Sequence, residues 1–145
     1  MQLNCRNYWN SRHHVSVTIR SIDPDIVLLN HTGLTHKHIK LYGYNTRYTT
    51  ETYYDGEAVM IKSTTQHVHI TNWLSAHFLA TKIHTQHGQI LVATTYCRPN
   101  TGLPLDRPTN LFNKTNISVY IRVDLIAKHT AFRHSTNNQR GHELL

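Results

Sequence analysis

Acidic side chains are scarce in this chain. Of 145 residues only eight are Asp or Glu, against 15 Lys and Arg. None of the eight lies between Ala58 and Leu105. Any metal site or acid–base pair must therefore draw on Asp23, Asp25, Glu51, Asp55, Glu57, Asp106, Asp124 and Glu143. Cysteine is equally sparse. Two residues, Cys5 and Cys97, make neither a disulfide framework nor a zinc-type spacing. Both sit in apolar, strand-like contexts and read as buried free thiols of a reducing compartment. The opening "MQLNCRNYWNSRHH" lacks the apolar core of a signal peptide, and no run approaches transmembrane length. The expected location is intracellular, with the sequons at Asn30, Asn113 and Asn116 silent. No block of five or six basic residues occurs, which excludes a nuclear-type cluster or a disordered basic arm. There is no internal repeat and no low-complexity segment.

What is present is positive charge. The net charge is +7, a surface that favours polyanions, with nucleic acid as the first candidate. The plainer alternative is a protein that is basic without using it. The length suits one domain or part of one. There are 13 histidines. They include His13-His14, His36-x-His38, His67-x-His69 and His84-x-x-His87. A pair two residues apart on a strand faces one side, so such pairs can chelate a metal. Their scatter over several hairpins, with no cysteine or carboxylate partner, argues against a dedicated zinc site.

Hydrophobic patterning predicts many strands and few helices. "MQLNCR" reads as a short first strand. Residues 11–21 read as a helix, with Ser11 as N-cap and Val15, Ile19 and Ile22 on one face. Asp25–His31 is nearly all apolar, a strand buried on both faces. "IKLYGYNTRYTT" reads as a more exposed strand. A turn at Asp55-Gly56 precedes two further strands. "HFLATKIHTQHGQILVATTYCRP" reads as a hairpin turning at Gln86–Gln89, and Pro99 stops its outgoing strand. Residues 100–117 form a loop with a short helix, "PTNLFNKT", whose first turn Pro108 fits. On "SVYIRVDLIA", Val119, Ile121, Val123 and Leu125 form one face, and Tyr120, Arg122, Asp124 and Ile126 the other. The tail is a polar loop and the start of a helix. The sum is an α+β (α/β) sandwich, two packed mixed β-sheets flanked by helices. The chain ends as that last helix begins, so a C-terminal part of the domain is expected to be missing.

Several segments stand in a familiar order. "LNCR" opens the chain, followed by "PDIVLLNHTGL", "DGEAVMIK", "ILVATTYCRPN", "VYIRVDLIAKHTAF" and "TNNQRGHELL". This order resembles the endonuclease domain of non-LTR retrotransposons. That domain belongs to the endonuclease/exonuclease/phosphatase superfamily, with the apurinic/apyrimidinic endonucleases and deoxyribonuclease I. The family pattern runs roughly WNxxS, PDIxxxQETxL, GGVAIxxK, VYxPPN, GDFNAxH and TNxRGxxL, then a late SDH. The resemblance covers residues 1–145 as the N-terminal two-thirds of a deoxyribonuclease I-like domain. It implies a nuclear, magnesium- or manganese-dependent enzyme that cleaves a phosphodiester in DNA. In the intact element a reverse transcriptase domain would follow.

The family's residues carry over only in part. Asn4 falls on the first-strand metal-binding asparagine, Tyr96 on the catalytic tyrosine and Asp124 on the aspartate of GDFNA. His31 stands in place of the metal-binding glutamate of QETxL, and Ile126 in place of the asparagine of GDFNA. Arg98, Asn100, Lys128 and Arg133 are the implied contacts to nucleic acid. Magnesium takes hard oxygen ligands, whereas a neutral imidazole suits zinc, copper or nickel. An apolar Ile126 removes a preorganised hydrogen-bonding group, a loss of about 10²–10³ in rate. The expectation is an impaired endonuclease. A non-catalytic basic nucleic-acid-binding module and a histidine-based metal binder stay open beside it.

Overall fold

The computed structural model describes residues 1–33, 38–49, 56–70, 78–96, 113, 116–124 and 131. The chain order is β1 (Gln2–Asn4), α1 (Tyr8–Ile22), β2 (Ile26–Asn30), β3 (Tyr44–Tyr48), β4 (Glu57–Lys62), β5 (His67–His69), β6 (Phe78–Thr85), β7 (Gly88–Tyr96) and β8 (Ser118–Asp124). Two four-stranded sheets result. The first has the order β1-β2-β4-β3 and the second β5-β6-β7-β8. Both are mixed, because β1 pairs parallel with β2 and β7 parallel with β8, while the other pairings are antiparallel. The architecture is the expected sandwich. β4 and β5, adjacent in sequence, lie in different sheets.

Alternation decides which sheet face each residue serves. Ile26, Leu28 and Asn30 of β2 and Glu57, Val59 and Ile61 of β4 face the second sheet. Leu28, Val59 and Ile61 pack there with Leu79, Ile83 and Val92 to form the inter-sheet core. The alternate residues, Val27, Leu29, Ala58 and Met60, face outward and are covered by Tyr8, Val15 and Ile19 of α1. β2 is thus buried on both faces, as its apolar run predicts. Fully burying each such side chain contributes about 1.5–3 kcal/mol. The outer face of the second sheet holds a third cluster, Phe78, Ala80, Leu91 and Ala93, with Ile117, Val119 and Ile121 against it.

The helix begins earlier than its spacing predicts. Asn7, not Ser11, is the N-cap; its Oδ1 accepts from the N–H of Trp9 at 3.1 Å and of Asn10 at 3.3 Å. Ser11 lies inside the first turn and donates its hydroxyl to Cys5 O at 2.8 Å and Asn7 O at 3.0 Å. Val15 and Ile19 are buried as expected, but Ile22 is 58% exposed. Asp23, in the left-handed conformation at φ 50°, ends the helix directly after it. The β6–β7 hairpin turns at Gln86-His87, with Gly88 at φ 120°. Cys5 is a buried free thiol; burial and then the nearby Glu57 charge push it up to about 12, so it stays protonated. Asp55, Cys97, the "PTNLFNKT" helix apart from Asn113, and the tail helix lie outside the described residues. Among the described residues no helix is long and apolar enough to cross a membrane.

Candidate functional site

Four strands deliver their C-terminal ends to one end of the sandwich. Asn4 ends β1 and Asn30 ends β2, paired in register. Tyr96 ends β7 and Asp124 ends β8, also paired in register. The antiparallel β4 brings its first residue, Glu57, to the same level, opposite Asn30. In open α/β sheets, the carboxyl ends of parallel strands are where ligands bind.

His31 is the hub of this end. Its φ is 51°, a left-handed conformation that non-glycine residues adopt sparingly. The turn takes the chain off β2 and toward α1, and His31 O accepts from Asn7 N–H at 2.8 Å. The His31 imidazole meets Tyr96 edge to face, with ring centroids 4.8 Å apart. Its Nδ1 lies 3.2 Å from Asn4 Oδ1. An amide oxygen only accepts, so this Nδ1 carries the proton. Asn4 Oδ1 also accepts from Arg6 N–H at 3.1 Å. Three of the candidate residues, Asn4, His31 and Tyr96, are therefore in contact through His31, and the backbone of Asp124 stands beside that of Tyr96. Arg98, Asn100, Ile126, Lys128 and Arg133 lie outside the described residues.

One member of this end stands in the pool of eight acids but among none of the residues that the resemblance assigns. Glu57 is completely buried. Its Oε1 accepts from Asn30 Nδ2 at 2.6 Å, and its Oε2 from the Thr94 hydroxyl. Its N–H donates to Thr49 Oγ1 at 3.0 Å. This carboxylate thus joins β2 and β4 of one sheet to β7 of the other. The preceding Gly56 sits at φ 124°, and a Cβ there would lie 2.6 Å from Thr32 Oγ1, so only glycine fits. The signal for Glu57 is in the sequence. It takes the valine's place in GGVAIxxK, and alternation sets it on the inward face with Val59 and Ile61.

These donors do not fit magnesium. Asn4 Oδ1 is taken by two N–H groups, His31 offers nitrogen, and the Glu57 oxygens are enclosed and bonded. Among the described residues no group of three His, Cys, Asp or Glu could hold a metal ion.

No protein-family model and no curated protein matches the sequence. Solved structures do match. The endonuclease domain of TRAS1, a telomere-specific non-LTR retrotransposon, aligns at TM-score 0.79 and 14% identity, over 99% of this chain and 65% of that one. The catalytic domain of Xenopus laevis APE2 aligns at TM-score 0.65 and 18% identity, over 99% and 63%. The catalytic domain of human Nocturnin aligns at TM-score 0.62 and 18% identity, over 88% and 63%. The chain spans less than two thirds of the length of each. The two mixed sheets, the helix on the outer face of the first and these alignments together establish the deoxyribonuclease I-like fold for this chain.

Proposed function

We propose that this chain is a DNA phosphodiester endonuclease domain of the non-LTR retrotransposon type that has lost most or all of its activity. The likeness to the TRAS1 endonuclease domain supports the type. The observation that carries the loss is His31. Where the resemblance places a metal-binding glutamate, an imidazole donates a hydrogen bond to Asn4 Oδ1, the very oxygen a magnesium ion would need. Asn4, Tyr96 and Asp124 are remnants of the site, and Ile126 adds the loss of a preorganised polar group, about 10²–10³ in rate. In an intact element the same fold would hold magnesium or manganese, act on nuclear DNA and precede a reverse transcriptase.

Plasmid nicking with magnesium or manganese tests this reading. No nicking above background is expected from the native chain. The pair His31→Glu with Ile126→Asn, which returns both polar groups, should raise it measurably. Robust nicking by the native chain, abolished by Asp124→Ala, overturns the proposal. A second reading, a non-catalytic nucleic-acid-binding module, draws on the net charge of +7. It requires DNA affinity that falls steeply with salt as counterions are released, and salt-indifferent binding removes it.

A further inference from the structure

A second cluster lies away from the end described above. β5 is three residues long, and both its ends are histidines. His67 and His69 share one strand face and stand opposite Ile83 and Thr81 of β6. Their ring centroids are 5.2 Å apart, with the planes at 67°. Val68, between them, points the other way and is 52% exposed. Among the described residues β5 is the last strand on its side of the sheet, so the pair lies at the margin of the described sheet.

Each ring is already held at Nδ1. His67 Nδ1–H donates to Thr65 O at 2.8 Å; a carbonyl only accepts, so the Nε2 of this ring carries a lone pair. His69 Nδ1 lies 2.7 Å from Thr81 Oγ1. Anchoring one nitrogen by a hydrogen bond is how metal-binding imidazoles are oriented. Two imidazoles bound through Nε2 at about 2.0–2.1 Å in tetrahedral geometry would hold their ring centres about 5 Å apart. The pair is set at that separation. Burial first, then His67, then Arg47 on β3 push His69 down to about 4. The other described histidines lack this arrangement. His13 and His14 are adjacent on a helix, His38 bonds the Tyr48 hydroxyl, and His84 lies near Gln89.

We propose that His67 and His69 form a two-imidazole chelate for a borderline divalent transition-metal ion, of the zinc, nickel or copper(II) class. Water or an external anion completes the shell, since no third protein ligand joins the pair among the described residues. Arg47 acts on His69 from β3; its charge weakens a cation there and favours an anion as the further ligand. The site is independent of the proposed nuclease end.

Zinc titrated into the full chain at neutral pH, followed by calorimetry, tests the proposal. One site tighter than the remaining histidines is expected. His67→Ala or His69→Ala should weaken it at least tenfold, and the pair of substitutions should remove it. His13→Ala with His14→Ala should leave it unchanged. Native affinity in the doubly substituted chain overturns the proposal. Should that chain not fold, ¹⁵N imidazole shifts of the native chain decide. Movement first at Nε2 of His67 and His69 supports the site, and movement first at other histidines overturns it.

Discussion

The space between the two sheets has two ends built by the same strands on opposite principles. Along most of its length β2, β4, β6 and β7 present Leu28, Val59, Ile61, Leu79, Ile83 and Val92, side chains that need only shape and volume. Two residues further along the same faces β2, β4 and β7 present Asn30, Glu57 and Thr94, each of which needs a partner. Those needs are incompletely met. Asn30 Oδ1 and Thr32 Oγ1 are buried without a hydrogen bond. The apolar part is stable by area; the polar part holds only while its network stays closed.

That difference can be broken at either part. The largest effect is expected in the apolar layer. Leu79→Ala should cost about 2–5 kcal/mol in denaturant unfolding, because the fully buried site relaxes only partly around the cavity. Glu57→Ala should cost slightly less, about 2–4 kcal/mol, chiefly by stranding the Asn30 amide and the Thr94 hydroxyl. The contrast sharpens when partners change together. Glu57→Met with Asn30→Leu and Thr94→Val should recover most of the single-variant loss, since an apolar layer of similar shape leaves nothing unpaired. No such rescue by neighbours is expected for Leu79→Ala. If the triple variant is less stable than Glu57→Ala, the polar layer is a net stabiliser and the comparison fails.

How legible each part was follows from the same physics. The inter-sheet core could be read because alternation and apolar runs report burial directly, as "DIVLLN" and "EAVMI" do. The site could be read only through quoted motifs, which located Asn4, His31, Tyr96 and Asp124 but said nothing of what each side chain touches. Glu57 is legible as an inward-facing acid by alternation, but a lone acid before an apolar run also looks like a solvated strand end, so its partners are not. Its burial depends on Asn30 and Thr94, 27 and 37 residues away. Ser11 was mistaken for the cap because its hydroxyl suits that role. The competing Asn7 was hidden by a positive φ that no spacing announces.

The margin carrying His69 gives a smaller, pH-dependent effect. His69 is held well below its usual range, to about 4, so between that value and about 6.5 the unfolded chain binds the extra proton. Stability from this group is complete above pH 6.5 and is lost as pH falls toward 4. Denaturant midpoints measured across that window should decline with acidity less steeply in His69→Gln than in the native chain.

The smallest effect separates the two jobs of Asn7. Its side chain caps α1, and its N–H donates to His31 O at 2.8 Å, tying the helix start to the polar end. Its φ is 82°, a value that costs glycine nothing and alanine something. Asn7→Ala loses the cap and meets that strain, so about 1–2 kcal/mol is expected. Asn7→Gly loses the cap alone, so only a few tenths of a kcal/mol should go. The His31–Tyr96 contact depends on the backbone turn that Asn7 N–H holds, not on the Asn7 side chain. The His31 and Tyr96 ring resonances should therefore stay in place in Asn7→Gly and shift in Asn7→Ala. Equal shifts in both would mean that the cap, rather than the left-handed backbone, sets the geometry of the polar end.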